Sequence, residues 1–300
     1  YFVAVFLIVR SLQFLLECPQ GFVLSDDGTT CIPPPEPRWK RVGGNFQNPK
    51  LFTGGWSGIG EAVALSDDGQ TLVVGAPGLG KDTCLAENSE DFCRGHGLRY
   101  GKVFVFRRVT GNSTMTVGGR KARIGQVYSK GWQRVGQTIV GERYFSKAGN
   151  DVGVSGNGQI ITVTGAKSFD GYKLFGGQLI TRTYVYDEKT DVWKRMGGDI
   201  KGFVKMSNDG RVLAAKCNCL SGVGPDFGGT FSVYVSENGN WTKIWELEMR
   251  QSFFNEQPFS LSSDGSRLVI AQQNQKAAFY DIDVVSKEVK LMKAGLPVTL

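Results

Sequence analysis

The sequence predicts an all-β fold, and more narrowly a β-propeller of four-stranded antiparallel blades. Glycine is abundant, at 41 of 300 residues, without the triplet period of collagen. No amphipathic helical pattern persists beyond about a dozen residues. Short runs of Val, Ile, Phe and Tyr alternate instead with Gly, Asn and Asp, which is typical of strands joined by tight turns.

One pattern returns four times after the first 37 residues, and it begins with a tryptophan followed by a hydrophobic residue three or four positions later. The four tryptophans are Trp39, Trp132, Trp193 and Trp241. A Ser-x-[Asp/Asn]-Gly turn between two apolar runs follows each of them, at Ser66–Gly69, Ser155–Gly158, Ser207–Gly210 and Ser262–Gly265. Each unit closes on an aromatic strand, at Val103–Phe106, Thr183–Tyr186, Ser232–Tyr234 and Ala278–Tyr280.

These repeats predict the blades. Asp-Gly and Asn-Gly adopt the positive φ angles of a tight hairpin, so each turn joins two antiparallel strands. A tryptophan strand before and an aromatic strand after complete four strands, which must stack on neighbouring units to bury both faces. A β-sandwich is the alternative, but it has no reason to repeat both motifs in phase. The predicted repeats lie near 38–131, 132–192, 193–240 and 241–286, and residues 287–300 could begin a fifth.

The repeats also resemble a known group. Leu72–Gly78, with the sequence LVVGAPG, resembles half of an FG-GAP repeat, the blade of integrin α-subunit propellers. The wider cadence is similar to FG-GAP-like repeats over roughly residues 38–286. This resemblance implies adhesion or ligand binding on the propeller face. The calcium loops of integrins are missing, because the positions that would need acids hold Thr71, Ile160 or Ile161, Val212 and Arg267. We therefore predict no metal and no cofactor.

The N-terminal residues differ in composition from the repeats. Residues 1–17 are apolar apart from Arg10, Ser11, Gln13 and Glu17, and we predict a signal peptide or a membrane anchor. The end of a truncated membrane helix and an ordinary buried segment are the alternatives. Residues 18–37 hold a cysteine loop and a stiff Pro-rich spacer, and residues 38–300 form the predicted propeller.

Six cysteines fall in three close pairs, which suggests disulfides formed in an oxidising compartment. We predict the bonds Cys18–Cys31 and Cys84–Cys93, whereas a bond within Cys217-x-Cys219 would close a strained ring. The first loop resembles the last disulfide loop of an EGF-like module, although the earlier cysteines of that module are missing. Two sequons, at Asn112 and Asn240, predict N-glycosylation. Together these features predict a secreted or cell-surface protein.

The net charge is +7, and the bases lie in short scattered clusters. A solvated basic surface is the simpler interpretation, and a polyanion site is the alternative. No motif of a sequence-specific nucleic-acid reader is present.

Several segments resemble known functional motifs but lack residues that those motifs require. Gly75–Lys81 matches the P-loop pattern, but Asp82 follows in place of Ser or Thr. The Ser-x-Asp-Gly turns lack the spacing and the tryptophan of a sialidase Asp-box. His96, the single histidine, excludes sites built from several histidines. The repeat tryptophans predict blade packing, while Trp56 and Trp245 fall outside the repeat position and could be surface aromatics.

The predicted function is binding rather than catalysis. The long, glycine-rich insertion Gly78–Tyr100 interrupts the first repeat and is predicted to present a protein or glycan ligand site on a rigid scaffold. Its candidate contact residues are Lys81, Asp82, Arg94, His96 and Arg99. A sialidase-like glycan hydrolase and a purely structural cell-surface component are the alternatives.

Overall fold

The computed structural model describes the strands and turns of four sheets and one small hairpin. The described residues are 23–24, 30–32, 58–79, 100–109, 131–142, 146–166, 179–217, 229–249, 259–272 and 276–297. The chain divides into two compact units, residues 1–42 and 43–300. Within the described part of the first unit, β1 (Val23–Leu24) pairs antiparallel with β2 (Cys31–Ile32).

The second unit contains four antiparallel sheets, here called blades 1 to 4. Blade 1 comprises β3 (Val63–Leu65), β4 (Thr71–Ala76), β5 (Lys102–Arg108), β6 (Trp132–Arg134) and β7 (Ile139–Val140), of which the last two both pair with β5. Blade 2 comprises β8 (Asp151–Val154), β9 (Ile160–Ala166), β10 (Leu179–Asp187) and β11 (Val192–Lys201). Blade 3 comprises β12 (Phe203–Met206), β13 (Val212–Cys217), β14 (Gly229–Glu237) and β15 (Asn240–Met249). Blade 4 comprises β16 (Phe259–Leu261), β17 (Arg267–Gln272), β18 (Lys276–Asp283) and β19 (Glu288–Pro297).

The blades stack as in a β-propeller, so the predicted fold class is confirmed. The first strands of consecutive blades contact one another, β3 with β8, β8 with β12 and β12 with β16. Apolar clusters fill the space between blades, with Val105 of blade 1 against Ile161 of blade 2, and Val233 of blade 3 against Ile270 of blade 4. No helix occurs within the described ranges, and no helix there could span a membrane.

The blade and the sequence repeat are offset by one strand. The tryptophan strands β6, β11 and β15 pair with the aromatic strand that precedes them, not with the hairpin that follows. Each is therefore the fourth and outermost strand of its blade. The motif alone does not show which neighbour the tryptophan strand pairs with, because the sequence has a candidate partner strand on each side of it.

The Ser-x-[Asp/Asn]-Gly turns join the first two strands of every blade through one hydrogen-bond pattern. In blade 1, the Ser66 hydroxyl donates to Asp68 Oδ1 (2.5 Å) and accepts from the Thr71 amide (2.8 Å). Asp68 Oδ1 also accepts from the Gln70 amide (2.9 Å), and Gly69 completes the turn at φ +65°. The same bonds recur around Asn157, Asp209 and Asp264. The side chains thus satisfy backbone groups that a two-strand turn leaves unpaired.

The four turns meet at one end of the propeller, which we call the axial turn end. Asn208 of blade 3 is its hub, because it contacts the other three blades. Its carbonyl accepts from the Gly156 amide (2.7 Å), its amide donates to the Ser263 carbonyl (2.7 Å), and its side chain donates to Asp67. This end of the propeller is therefore closed by backbone and side-chain hydrogen bonds.

The repeat tryptophan packs on a glycine of the preceding blade. A Cβ at Gly136, the fifth residue of the Trp132 motif, would lie 2.5 Å from Cδ1 of Trp193 in blade 2. A Cβ at Gly197 would lie 2.8 Å from Cδ1 of Trp241 in blade 3. Both glycines also have positive φ, +69° and +66°. The Trp-x-x-hydrophobe-Gly motif therefore encodes the joint between successive blades, as its assignment to blade packing predicted.

Candidate functional site

The predicted ligand-binding residues Lys81, Asp82, Arg94, His96 and Arg99 lie outside the described residues. The same holds for Asn112, Trp56 and the pair Cys84–Cys93. These assignments stay predictions. The two ends of the insertion that carries the five contact residues are described, and they define where the insertion leaves the propeller.

The base of the insertion is a tightly bonded junction between blades 1 and 2. The Gly101 amide donates to the Leu79 carbonyl (2.9 Å), which closes the insertion at the ends of β4 and β5. The Tyr100 carbonyl accepts from the Ser146 hydroxyl (2.7 Å) and from the Ala148 amide (3.0 Å). Leu79, Tyr100 and Ser146 are all buried. The segment that links blade 1 to blade 2 therefore holds the insertion's base in one position.

A small cleft opens beside this base, and we call it the junction cleft. Its walls come from β7, β9, β10 and the residues Gly141, Ser146 and Ala148, with the polar side chains of Ser146, Arg182 and Tyr184 among them. Its volume of about 20 Å³ is room for about one water molecule.

Four charged side chains, one of them Arg182, form a cluster at the junction cleft. The Arg182 Nε donates to Asp199 Oδ1 (2.9 Å), and its Nη2 donates to Glu142 Oε2 (2.8 Å). Arg195 also bonds Asp199 and lies 3.9 Å from Glu142. Because two guanidinium groups face two carboxylates, the cluster has no net charge, and it joins the end of blade 1 to the third and fourth strands of blade 2.

The pKa directions agree with a structural ion cluster. Burial opposes the charge of Arg182, but the hydrogen bond that Arg182 donates to Asp199 and the charges of Asp199 and Glu142 raise the pKa of Arg182. Burial raises the pKa of Tyr184, against the lowering effect of Arg182 and Arg195. Both groups therefore keep one protonation state through the physiological range, so the cluster offers fixed hydrogen-bond donors and acceptors rather than a proton relay.

A second carboxylate of interest lies on an innermost strand. Asp151 begins β8, at the same end of the blades as the insertion. Burial raises the pKa of Asp151, and the charge of Lys205 on β12 partly opposes that shift. Strongly perturbed carboxyl pKa values cluster at functional sites, although the described residues contain no group of three or more His, Cys, Asp or Glu side chains that could hold a metal ion.

The acids of the axial turn end have the opposite character. Hydrogen bonds from Ser262 and Ser266 lower the pKa of Asp264 to about 2, and bonds from Ser66 and Gln70 lower the pKa of Asp68. Asp264 and Asp68 stay ionised, and their Oδ1 atoms accept hydrogen bonds within the turn. They cannot supply the protonated acid that glycoside hydrolysis needs, so the sialidase-like interpretation finds no support at this end.

Three further predicted positions are described. Asn240 is exposed at the start of β15, beside the Asn238-Gly239 turn, so its side chain is accessible, and glycosylation there stays a prediction. Cys31 and Cys217 are disulfide-bonded, but no described cysteine is shown as their partner, so the predicted pairings stay predictions. Trp245 is no free surface aromatic, because its ring lies 5.0 Å from that of Tyr280 in blade 4.

Sequence reasoning missed the Arg182 cluster and the Asn208 hub. Arg182 is separated by 40 residues from Glu142 and by 17 from Asp199, and no motif joins them. Asn208 occupies the variable position of the Ser-x-Asp-Gly turn. The equivalent positions of the other turns hold Asp67, Gly156 and Ser263, so no feature of the sequence distinguishes Asn208.

Comparisons with known proteins assign no family to the chain. No family model and no curated protein matches the chain. Among solved structures, it is similar to a protein of Bacteroides uniformis named "putative 6-phosphogluconolactonase" (13% identity, TM-score 0.44), covering 92% of this chain and 64% of that one. Hsv2p of Kluyveromyces lactis is similar at 13% identity and a TM-score of 0.42, covering 81% and 62%. The β-propeller domain of Myceliophteria thermophila Cps50 (Swd1) is similar at 10% identity and a TM-score of 0.38, covering 80% and 59%.

These comparisons correct one prediction. The prediction that the chain is not an enzyme is contradicted, because two similar structures, from Bacteroides uniformis and Bacteroides fragilis, carry a lactonase name. At 13% identity the likeness concerns the fold and assigns no reaction to this chain. The chain spans less than two thirds of the length of each of these structures. The β-propeller fold rests on the four-stranded sheets and their stacking.

Proposed function

We propose that this protein is an extracellular recognition module that binds a protein or glycan ligand at the end of the propeller where the insertion emerges. One observation carries the proposal. Three of the four connections between the second and third strands are long, residues 77–101, 167–178 and 218–228, and all leave the blades at this one end. Loops on a rigid scaffold are the usual carriers of binding function.

The contrast between the two ends of the propeller supports the proposal. The connections between the first and second strands are short turns whose serine and acid side chains are committed to backbone groups. Hydrogen bonds of Asn208 join those turns to one another. At the insertion end, Leu79, Tyr100 and Ser146 form a fixed base. The long connections at that end contain no sequence motif whose side chains are assigned to backbone groups.

The base lowers the cost of presenting the insertion. Ordering a loop on binding costs conformational entropy, and a base held in one position reduces what remains to be ordered. The predicted Cys84–Cys93 bond acts in the same direction. The resemblance to FG-GAP-like repeats, the EGF-like loop at Cys18–Cys31 and the two sequons support an extracellular location for this activity.

The test is to remove the insertion and keep the propeller. Residues 81–98 are replaced by a short Gly-Ser turn, and binding is measured on glycan arrays and on cell surfaces by fluorescence. We expect an unchanged β-type circular-dichroism spectrum and the loss of at least about tenfold in affinity for the ligand that the full chain selects, equal to roughly 1.4 kcal/mol.

The matched control shortens the other long connection of blade 1. Residues 111–129 join β5 to β6 and so leave the blade at the opposite end. Their replacement by the same Gly-Ser turn should preserve binding. Equal binding by the full chain and the variant without residues 81–98 would place the site elsewhere, and equal losses in both variants would show that only overall stability was tested.

A further inference from the structure

The outward face of blade 4 differs from the matching faces of blades 1 to 3. The face is defined here by Val269 and Ala271 of β17 and by Ala277 and Phe279 of β18, with Arg267 and Asp281 at its edge. These residues pair across the two strands as Val269 with Phe279 and Arg267 with Asp281. Leu268, Ile270 and Tyr280 point to the other side and pack in the cluster with blade 3.

The matching central pair is buried in every preceding blade. Counted from the turn serine, the counterparts of Val269 and Phe279 are Val73 and Val105 in blade 1, Thr162 and Thr183 in blade 2, and Ala214 and Val233 in blade 3. All six are at most 3% exposed, because the next blade covers them. Phe279 is 37% exposed and Val269 is only partly buried. Blade 4 thus keeps apolar residues at positions whose burial elsewhere depends on a following blade.

Charged side chains lie at the edge of the same face, where a following blade could form an ion pair with them. Arg107 of blade 1 is the counterpart of Asp281 by strand register. It lies 3.6 Å from Glu188 and 4.8 Å from the centre of the Tyr186 ring, both in blade 2. In blade 4, Arg267 lies 3.4 Å from Asp281 on its own face, and its side chain is 71% exposed. Because Asp281 stands where blade 1 has Arg107, a following blade with a base at the Glu188 position would form the reversed ion pair there.

We propose that this face is the docking surface of a further four-stranded blade of the same repeat. The equivalent faces of blades 1 to 3 are each covered by the next blade, which favours a further blade over an unrelated ligand as the occupant of this face. The number of motifs agrees with it. The sequence has the Trp-x-x-hydrophobe-Gly motif at Trp39–Gly43 in addition to the outermost-strand positions at Trp132, Trp193, Trp241 and Val289. Five such positions accompany four described sheets.

The experiment supplies the proposed occupant. The full chain is extended after Leu300 by a second copy of residues 250–297, which presents the inward face of blade 4 to its outward face. Tm and hydrogen exchange of β17 and β18 are measured with and without the extension. We expect Tm to rise by about 5 °C and the exchange of these two strands to slow.

Two substitutions locate the effect. Phe279→Asp should lower Tm more in the extended chain than in the 300-residue chain, because only the extended chain buries this side chain fully. Val285→Asp is the control, since Val285 lies in the turn of the same blade and is 94% exposed. It should change Tm equally in both chains.

Three results would overturn the proposal. The first is an extension that leaves Tm and exchange unchanged. The second is an equal effect of Phe279→Asp in both chains. The third is a dimer of the unextended chain, seen by sedimentation and dissociated by Phe279→Asp, which would make a second copy the occupant.

Discussion

The joint between blades 2 and 3 and the joint between blades 3 and 4 solve the same packing problem with different residues. At the first joint, Trp241 of blade 3 packs on Gly197 of blade 2, and its indole N–H donates to the Thr183 hydroxyl (2.7 Å). At the second, the tryptophan position holds Val289, the glycine position holds Trp245, and the counterpart of Thr183 is Val233. Trp245 packs there against Tyr280.

The three differences are physically linked. A large indole on the following blade needs a residue without a side chain opposite it and an acceptor for its N–H. When the following blade has valine instead, the space can be filled from the preceding blade, and a buried hydroxyl would have no indole N–H from which to accept. The joint between blades 1 and 2 is of the first kind but uses a backbone acceptor, because Trp193 Nε1 donates to the Val135 carbonyl (3.1 Å). What the joints have in common is therefore a filled volume and a satisfied N–H, and not the type of residue at each position.

The largest expected effect comes from filling the glycine position at the first joint. Gly197→Val places a β-branched residue at φ +66°, with a Cβ 2.8 Å from Cδ1 of Trp241. Backbone strain and overpacking add to a loss of about 3 kcal/mol in the free energy of unfolding, measured by urea denaturation.

The neighbouring glycine is the matched control. Gly198 is exposed, and a Cβ added there has no atom within 4 Å. Gly198→Val should therefore change stability by less than about 0.5 kcal/mol. Similar losses in the two variants would show that valine in this strand, rather than the contact with Trp241, is responsible.

A smaller effect follows from removing the acceptor. Thr183→Val leaves the indole N–H of Trp241 without its 2.7 Å partner and the Met196 carbonyl without the 2.5 Å bond that it accepts. Unsatisfied buried groups of this kind cost about 1–3 kcal/mol, so the urea midpoint should fall.

The reciprocal substitution tests the same comparison at the joint between blades 3 and 4. Val233→Thr places a hydroxyl at a position that is 0% exposed, where no tryptophan N–H awaits it. This variant should also lose stability, although Thr183 stabilises the equivalent position of blade 2. If both substitutions were neutral, the link between the three residue differences would be refuted.

The sequence predicted the features that are local and missed those that connect distant segments. Turn chemistry is contained in four consecutive residues, so the hairpins at Ser66, Ser155, Ser207 and Ser262 were found directly. The fold class followed from their regular recurrence. The phase of the tryptophan strand was not accessible, because strand pairing is decided by packing of whole blades rather than by the motif.

The candidate site was predicted less completely than the fold. The position of the insertion between β4 and β5 follows from its place in the repeat. The junction cleft and the Arg182 cluster depend on Glu142, Ser146 and Asp199, which belong to the link between blades and to the outer strand of blade 2. Such residues converge only when two blades pack, and each alone looks like an ordinary surface residue in the sequence.

The smallest effect extends the comparison to the turns of blades 2 and 4. The turn of blade 4 has Asp264 where that of blade 2 has Asn157, with the same bonds from the serine hydroxyl and the following amide. Those bonds lower the pKa of Asp264 to about 2, against about 3.9 in an unfolded chain. Since the folded-state pKa is the lower one, the contribution of Asp264 to stability is present above about pH 4 and is lost as pH falls towards 2. Asp264→Asn should therefore reduce the urea midpoint slightly at pH 7, with a difference that disappears near pH 2. Asn157→Asp should give blade 2 the same acid sensitivity, and a pH-independent effect of either substitution would mean that the turn responds to side-chain geometry rather than to charge.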